Sequence, residues 1–261
     1  PRMNDKEERQ QRVERLRRLR KLGVQRGAAG LEPKRTTPLR PDEELPGEEV
    51  PTRFGAAWLR TAVYPIRSEP ELDGFLRTDP ISLAALGLDY SLANLDPART
   101  AFIDTETTGL SLDTSTYTFM IGVGTYEVLG ASEAALASPS DLTSPPDQAF
   151  VVRQFFMRSP SEERAQLALV EETLDRCTGV VSFNGKAFDL PLIQNRFTLA
   201  RMPLPLAGAP HLDLLAPARR IWRSSIGSCT LGNLEHEILG RDRSEDDVPG
   251  WMIPSIYRDY Y

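Results

Sequence analysis

Only two cysteines, Cys177 and Cys229, occur in the 261 residues. They are too few and too far apart for a disulfide framework or a cysteine-based zinc site. They fit a reducing, cytoplasmic setting. No run of about 18 apolar residues is present, which excludes a transmembrane helix. The basic N-terminus lacks the apolar core of a secretion signal. No internal repeat is found. Positive charge is in deficit, with 31 Lys and Arg against 37 Asp and Glu, a net charge of −6. That balance argues against nucleic-acid binding by bulk charge. It leaves room for a local acidic site that acts through metal ions.

What is present describes a globular protein with polar, unpacked sequence attached: 40% apolar and 26% charged residues. The length is ample for one or two domains and a sizeable core. Charge is unevenly spread. Residues 1–26 hold ten Lys/Arg and four Asp/Glu, a local +6, so the remainder carries −12. Val13, Leu16, Leu19 and Leu22 recur every three residues over 4–22, and Gly23 could end such a helix. The stripe is narrow, so a solvated or partner-dependent helix is expected, either a simple tail or a nucleic-acid or membrane-surface arm. Residues 27–51 contain Pro33, Pro38, Pro41, Pro46 and Pro51, the composition of an extended linker.

Residues 53–66 read as a strand or hairpin arm, and 71–95 as one or two short helices. From Arg99 the pattern sharpens. TAFIDTE, YTFMIGVGTYEV and AFVVRQFFMR read as strands, with a low-complexity loop over 130–148 before the third. SEERAQLALVEETLDRC reads as a helix with Ser161 as N-cap and Glu162 and Glu163 in its first turn. GVVSFNG is a fourth strand, FDLPLIQNRFTLA a helix and HLDLL a short fifth strand. Helices are expected around 217–224 and 230–239. Three strands followed by helix, strand, helix, strand, helix imply an α/β fold. Its central mixed β-sheet starts antiparallel, finishes parallel and is flanked by α-helices. The expected organisation is a basic helical tail and Pro-rich linker over 1–51, a leader over 52–98 that packs on the domain, and the main α/β domain over 99–261.

The chemistry concentrates in AFIDTETTGL, residues 101–110. Asp104 and Glu106 are two apart on a strand, so both side chains point to one face. Ala101, Phe102 and Ile103 mark that strand as buried. Two carboxylates at the end of a buried strand repel and lose hydration, and a divalent cation is the usual compensation. An Asp-x-Glu triplet alone is weak; its place after an apolar run and before Thr-Thr-Gly gives it weight. Thr107, Thr108, Gly109 and Leu110 complete the loop, offering hydroxyls and accessible backbone to a substrate.

The second segment is VVSFNGKAFDLPL, residues 180–192. Val180, Val181 and Phe183 make a buried strand, Asn184-Gly185 a tight turn, and Asp189 opens a helix with Pro191 in its first turn. A simple N-cap role, worth about 1 kcal/mol, accounts for Asp189. It does not account for the grouping of Asn184, Phe188 and Asp189 after a buried strand. The C-terminal edge of such a sheet is where ligands gather.

DTETTGL followed by FNGKAFDLP resembles the first and second motifs of the DEDD, or DnaQ-like, 3′–5′ exonucleases of the ribonuclease H-like fold. The wider runs SFNGKAFDLPLIQNRF, HLDLLAPARRIWR, GSCTLGNLEHEILG and EDDVPGW resemble the bacterial YprB-type ribonuclease H-like domain. The resemblance covers about residues 99–261, with LPGEEVPTRFG and WLRTAVYPI similar to the family's leader. It implies a ribonuclease H-like fold and exonuclease-like phosphodiester hydrolysis at single-stranded DNA or RNA ends. It implies Asp104, Glu106 and Asp189 as catalytic metal ligands, with Asn184, Lys186 and Phe188 toward the substrate. Two Mg²⁺ or Mn²⁺ ions about 4 Å apart would bridge Asp104 and the scissile phosphate. One would activate the attacking water and the other stabilise the leaving 3′ oxygen. Carboxylate oxygens suit such hard ions.

The fourth acid of the pattern does not appear. His236 plus five falls on Arg241, Asp242 is one position late, and Asp246 and Asp247 lack a suitable upstream His or Tyr. The chain is therefore read as a fragment, poorly active as it stands, with the fourth Asp expected beyond Tyr261. Asp213 is either a supporting group behind the metal ligands or a helix cap or loop hydrogen bond. His211 is read as structural. Lys186 contacts a phosphate or simply faces solvent. Arg219, Arg223 and Arg220 form a basic cluster, by default a solvated helix face and alternatively a strand-binding one. Phe155, Phe156 and Trp222 are read as core. The main competing function is a catalytically weak ribonuclease H-like module that binds nucleic acid or acts as a scaffold. A distant resolvase or hybrid-duplex nuclease is a third.

Overall fold

A computed structural model describes residues 45–109, 114–129, 148–242, 248, 250 and 252–260. The expected basic helix over 4–22, the linker up to residue 44, the loop over 130–147, and Leu110, Asp246 and Asp247 lie outside the described residues.

A hairpin opens the described chain: β1 (Glu48–Thr52) and β2 (Gly55–Pro65). Gly55 sits at φ +110°, a conformation that a Cβ disfavours, and the Thr52 hydroxyl closes the turn onto the Gly55 carbonyl at 2.7 Å. β1 begins inside the stretch whose prolines read as linker. Pro51 is compatible with a strand there because β1 is the outermost strand and pairs on one side only. Helices α1 (Pro70–Leu76) and α2 (Pro80–Gly87) follow. The Asp79 carboxylate accepts from the Ile81 and Ser82 N–H groups and starts α2.

The remaining strands are β3 (Thr100–Thr107), β4 (Thr118–Val128), β5 (Gln148–Phe156), β6 (Gly179–Ser182) and β7 (His211–Asp213). Together they form one seven-stranded sheet in the order β1-β2-β5-β4-β3-β6-β7. Pairing is antiparallel from β1 through β3 and parallel across β3–β6 and β6–β7. The expected mixed sheet with an antiparallel start and a parallel finish is thus present. Between β5 and the end of the described chain lie α3 (Glu163–Leu174), α4 (Asp189–Ala200), α5 (Leu215–Ile226), α6 (Leu231–Glu237) and α7 (Ile253–Tyr260). No helix among the described residues is long and apolar enough to cross a membrane.

Helix α3 departs from the expected start. A 3-10 turn over Pro160–Glu162 precedes it, so Glu162 rather than Ser161 occupies the cap position. The Ser161 hydroxyl instead pairs with that of Ser159 at 2.7 Å. Helix α7 was not expected from the pattern.

Side-chain alternation along the central strands builds two cores. Ala101, Ile103, Ile121, Val123 and Val180 face α3 and α4 and pack with Leu167, Val170, Leu174, Ile193 and Phe197. Val181 and Leu212, with half-buried Phe102, meet Leu83, Leu92 and Leu95 on the other face. Phe102, Phe150, Tyr126 and Phe75 stack edge-on there. Gly124 makes room for them, since a Cβ at that position would lie 2.4 Å from the Phe150 ring. Phe155 is fully buried, whereas Phe156 and Trp222 are partly buried, Phe156 packing on Tyr257 of α7 and Trp222 on the small core beneath α5.

Candidate active site

Parallel pairing of β3, β6 and β7 brings their C-terminal ends to one edge of the sheet. Asp104 and Glu106 stand on the last turns of the pleat of β3, Asp189 opens α4 just beyond β6, and Asp213 ends β7. Four carboxylates from segments far apart in sequence therefore share one rim. Glu106 is half-buried, and its carboxyl is pushed up to about 7. Loss of solvent is the main cause, and the negative charges of Asp104 and Asp189 add to it.

Asp189 is buried, at 9% exposure, and is the first residue of α4 rather than its cap, which is Phe188. Burial raises its carboxyl, and the Asp213 charge adds to the effect. The hydroxyl of Thr105 opposes it by donating to Asp189 Oδ1 at 2.5 Å. Thr105 lies between the two acids of β3 but points to the opposite face, toward α4. It was not singled out from the sequence, although its position between Asp104 and Glu106 was the signal.

The turn carrying Asn184 and Lys186 hangs from Asp213. Asp213 Oδ1 accepts from the N–H groups of Asn184 at 2.7 Å and Leu215 at 3.0 Å, and Oδ2 accepts from that of Lys186 at 3.0 Å. One side chain thus fixes the turn and holds the first N–H of α5, whose cap position is Leu214. Asn184 adopts φ +69°, which its short polar side chain tolerates. A Cβ at Gly185 would lie 2.5 Å from Ser182 Oγ, so the turn requires glycine there. The Lys186 ammonium is exposed and pairs with Asp89 at 3.4 Å. Phe188 is 49% exposed beside the carboxylates. On the other side, the Thr107 hydroxyl donates to the Gly109 carbonyl at 2.6 Å, and Thr108 exchanges two hydrogen bonds with the Tyr117 backbone. These hydroxyls hold the loop after β3 in shape.

His211 is structural. Its Nε2 shares a 2.7 Å hydrogen bond with the Ser182 hydroxyl, and burial, aided by the Lys186 charge, pushes its pKa down to about 4. The folded value lies below the unfolded one, so the unfolded chain takes up the proton first. The stability that neutral His211 confers is full above about pH 6.5 and is lost as pH falls toward 4. Glu106 has the opposite sign. Its folded value lies above the unfolded one, so its deprotonation weakens the fold as pH rises from about 4.5 through 7. Thermal melts in EDTA separate the two. Glu106→Gln should raise Tm at pH 8 by roughly 2–4 °C, from about 1 kcal/mol after solvent screening. That gain should vanish below pH 4.5. His211→Gln should flatten the acid limb between pH 6.5 and 4 relative to the parent. A Glu106→Gln gain that persists at pH 4 would contradict the assigned repulsion.

Three carboxylates in mutual repulsion are hard-oxygen donors of the kind that Mg²⁺ or Mn²⁺ takes. In donor chemistry Asp104, Glu106 and Asp189 therefore fit such an ion. Among the described residues, no three Asp, Glu, His or Cys groups converge tightly enough to make a ready-formed cage.

A seven-stranded mixed sheet with helices on both faces and acids at the edge of its parallel strands defines an α/β protein of ribonuclease H-like architecture. Residues 101–261 match the RNase H superfamily, and the chain belongs to that family. It is also 30% identical over 207 residues to YprB of Bacillus subtilis (strain 168), an uncharacterized protein. The match covers 76% of this chain and 44% of YprB, so the chain spans less than half the length of that relative. The YprB-type resemblance read from the motifs is borne out by this match.

Proposed function

We propose that the domain is a metal-dependent nuclease, a 3′–5′ exonuclease that hydrolyses phosphodiester bonds at single-stranded DNA or RNA ends. The observation that carries the reading is the electrostatic burden at the rim. Burial, with the charges of Asp104 and Asp189 added to it, pushes the Glu106 carboxyl up to about 7, a state that a divalent cation relieves. In this reading Asp104, Glu106 and Asp189 hold Mg²⁺ or Mn²⁺. When bound, such ions polarise the phosphoryl oxygen and make water acidic enough to attack at neutral pH.

The chain's own residues do the positioning. Thr105 fixes the Asp189 carboxylate, and Asp213 fixes the turn that presents Asn184 and Lys186. Phe188 offers an apolar ring to an unstacked base. The organisation into a basic tail and linker, a leader and a catalytic domain over 99–261 is kept as part of this reading, with the linker ending where β1 begins at Glu48 rather than at residue 51. So is a cytoplasmic setting, in keeping with two unpaired, buried cysteines.

One observation favours a second reading, a catalytically weak module that binds nucleic acid or serves as a scaffold: the described carboxylates do not form a closed cage. End-labelled single-stranded DNA and RNA, incubated with the protein and Mn²⁺, separate the two. Progressive shortening by the parent but not by Asp189→Asn is the expected result. Binding without shortening of either polymer would replace the nuclease by the binding module.

A further inference from the structure

We infer that Arg219 and Arg223 of α5, together with Lys186, form a track for the phosphate backbone of a single nucleic-acid strand, leading to the carboxylate rim. The inference deepens the nuclease reading and rests on it for the location of the chemistry.

Two clefts adjoin at α5. One, of about 250 Å³, is walled by Asn184, Lys186, His211, Asp213 and Arg219. The other, of about 310 Å³, is walled by Phe183, Asn184, Arg219, Arg223 and Ser228. Asn184 and Arg219 border both, so Arg219 stands on the partition between them. Arg219 and Arg223 are one helical turn apart and share a face. Both are exposed, and among the described residues neither has an ion-pair partner. Their neighbour Arg220 differs, since its guanidinium donates to the Leu86 carbonyl.

The charge balance of the clefts is the reverse of the chain's. Lys186, Arg219 and Arg223 supply three positive charges against two carboxylates, Asp213 and the Asp89 that pairs with Lys186 at 3.4 Å, which gives +1 in a protein of net −6 and leaves Arg219 and Arg223 as the uncompensated pair. Both Asp213 oxygens already accept backbone N–H groups, and His211 is neutral at pH 7. A cleft between β1 and α3, lined by Arg53, Glu171, Glu172 and Asp175, carries −2. An anionic polymer would therefore be drawn to α5 and repelled there.

Position supports the same path. Phe102 pairs with Val181, so two residues further along, Asp104 and Phe183 fall at one level on one face of the sheet. Phe183 packs against α5. The arginine-bearing helix thus borders the face from which Asp104 and Glu106 project. The exposed ring of Phe188, between Lys186 and Asp189, suits an unpaired base and selects a single strand over a duplex.

The test is binding of the full chain to a fluorescent single-stranded oligonucleotide, in EDTA, across a salt series. Arg219→Gln/Arg223→Gln should weaken binding about tenfold or more and lower the salt slope by about 1.4. Arg219→Lys/Arg223→Lys should keep most of both. Unchanged affinity and slope in the Gln variant, no binding by the parent, or tighter binding of a duplex of equal length would each overturn the track. Mn²⁺-dependent shortening assays on the same proteins keep the two readings apart. Shortening by the parent with unaltered binding in the Gln variant would sink the track alone. Weakened binding in that variant, with no shortening by any protein, would leave the track and remove the nuclease.

Discussion

Asp104→Asn should lower Mn²⁺-dependent hydrolysis by roughly a thousandfold or more while leaving the fold intact. The substitution keeps the shape of the side chain and removes one of the charges gathered at the rim of β3. A thousandfold loss corresponds to about 4 kcal/mol of transition-state stabilisation, the share expected of Asp104 if it holds a charge-neutralising ion as proposed. The same change removes a repulsion acting on Glu106. In EDTA at pH 8 the variant should therefore melt no lower than the parent. Initial rates on an end-labelled strand and melts in EDTA are the two measurements. A fully active Asp104→Asn protein would place the chemistry elsewhere. A destabilised one would mark Asp104 as structural.

Arg196→Met should be strongly destabilising, more so than any change at the carboxylate rim. Arg196 is 3% exposed and lies on the core-facing side of α4. Its guanidinium pairs with Glu163 of α3, with Nη2 at 2.8 Å from Oε2, and donates from Nη1 to the carbonyls of Thr114 at 2.9 Å and Thr116 at 3.3 Å. It also stacks 4.2 Å from the centre of the Tyr117 ring. Removing it leaves a half-buried carboxylate and two carbonyls without their donor, an expected loss of about 3–5 kcal/mol. In a domain of this size that is roughly 10 °C in Tm or more. Adding Glu163→Leu should recover much of the loss, because the carboxylate left behind, rather than the missing contact, dominates it. Calorimetric melts of both variants decide. Activity should fall with the single variant even below its Tm. Tyr117 holds Thr108 in the loop that follows the two acids, and Arg196 braces Tyr117 from beneath.

Arg196 also shows where the sequence could be read and where it was not. Asp189, Leu192, Ile193, Arg196, Phe197 and Ala200 follow helical spacing and are all buried. An arginine inside that stripe announces a buried ion pair, yet charge alone places it on the surface. Asp104 and Glu106 could be assigned to one strand face because the period of two leaves no alternative once Ala101 and Ile103 are inside. Thr105, on the other face, escaped because its role depends on where α4 begins, 84 residues away. The parallel half of the sheet was legible from strand–helix alternation. β1 was not, because Pro51 outweighs Val50 in any local reading. Only the pairing of Val50 with Ala57, and its packing against the main core, decide the matter. Ser161 failed as a cap for a local reason: Pro160 sets a 3-10 turn that moves the helix start past it.

The two outer strands carry a further consequence. β1 ends the sheet on one side with Pro51 and with exposed Glu48 and Glu49, and β7 ends it on the other after three residues. A proline cannot donate to an incoming strand, adjacent carboxylates repel a like neighbour, and a three-residue strand gives little to pair with. Both borders are thereby protected against strand addition. A sheet of seven strands can keep a charged rim open at one end without its two outer edges recruiting other copies into aggregates.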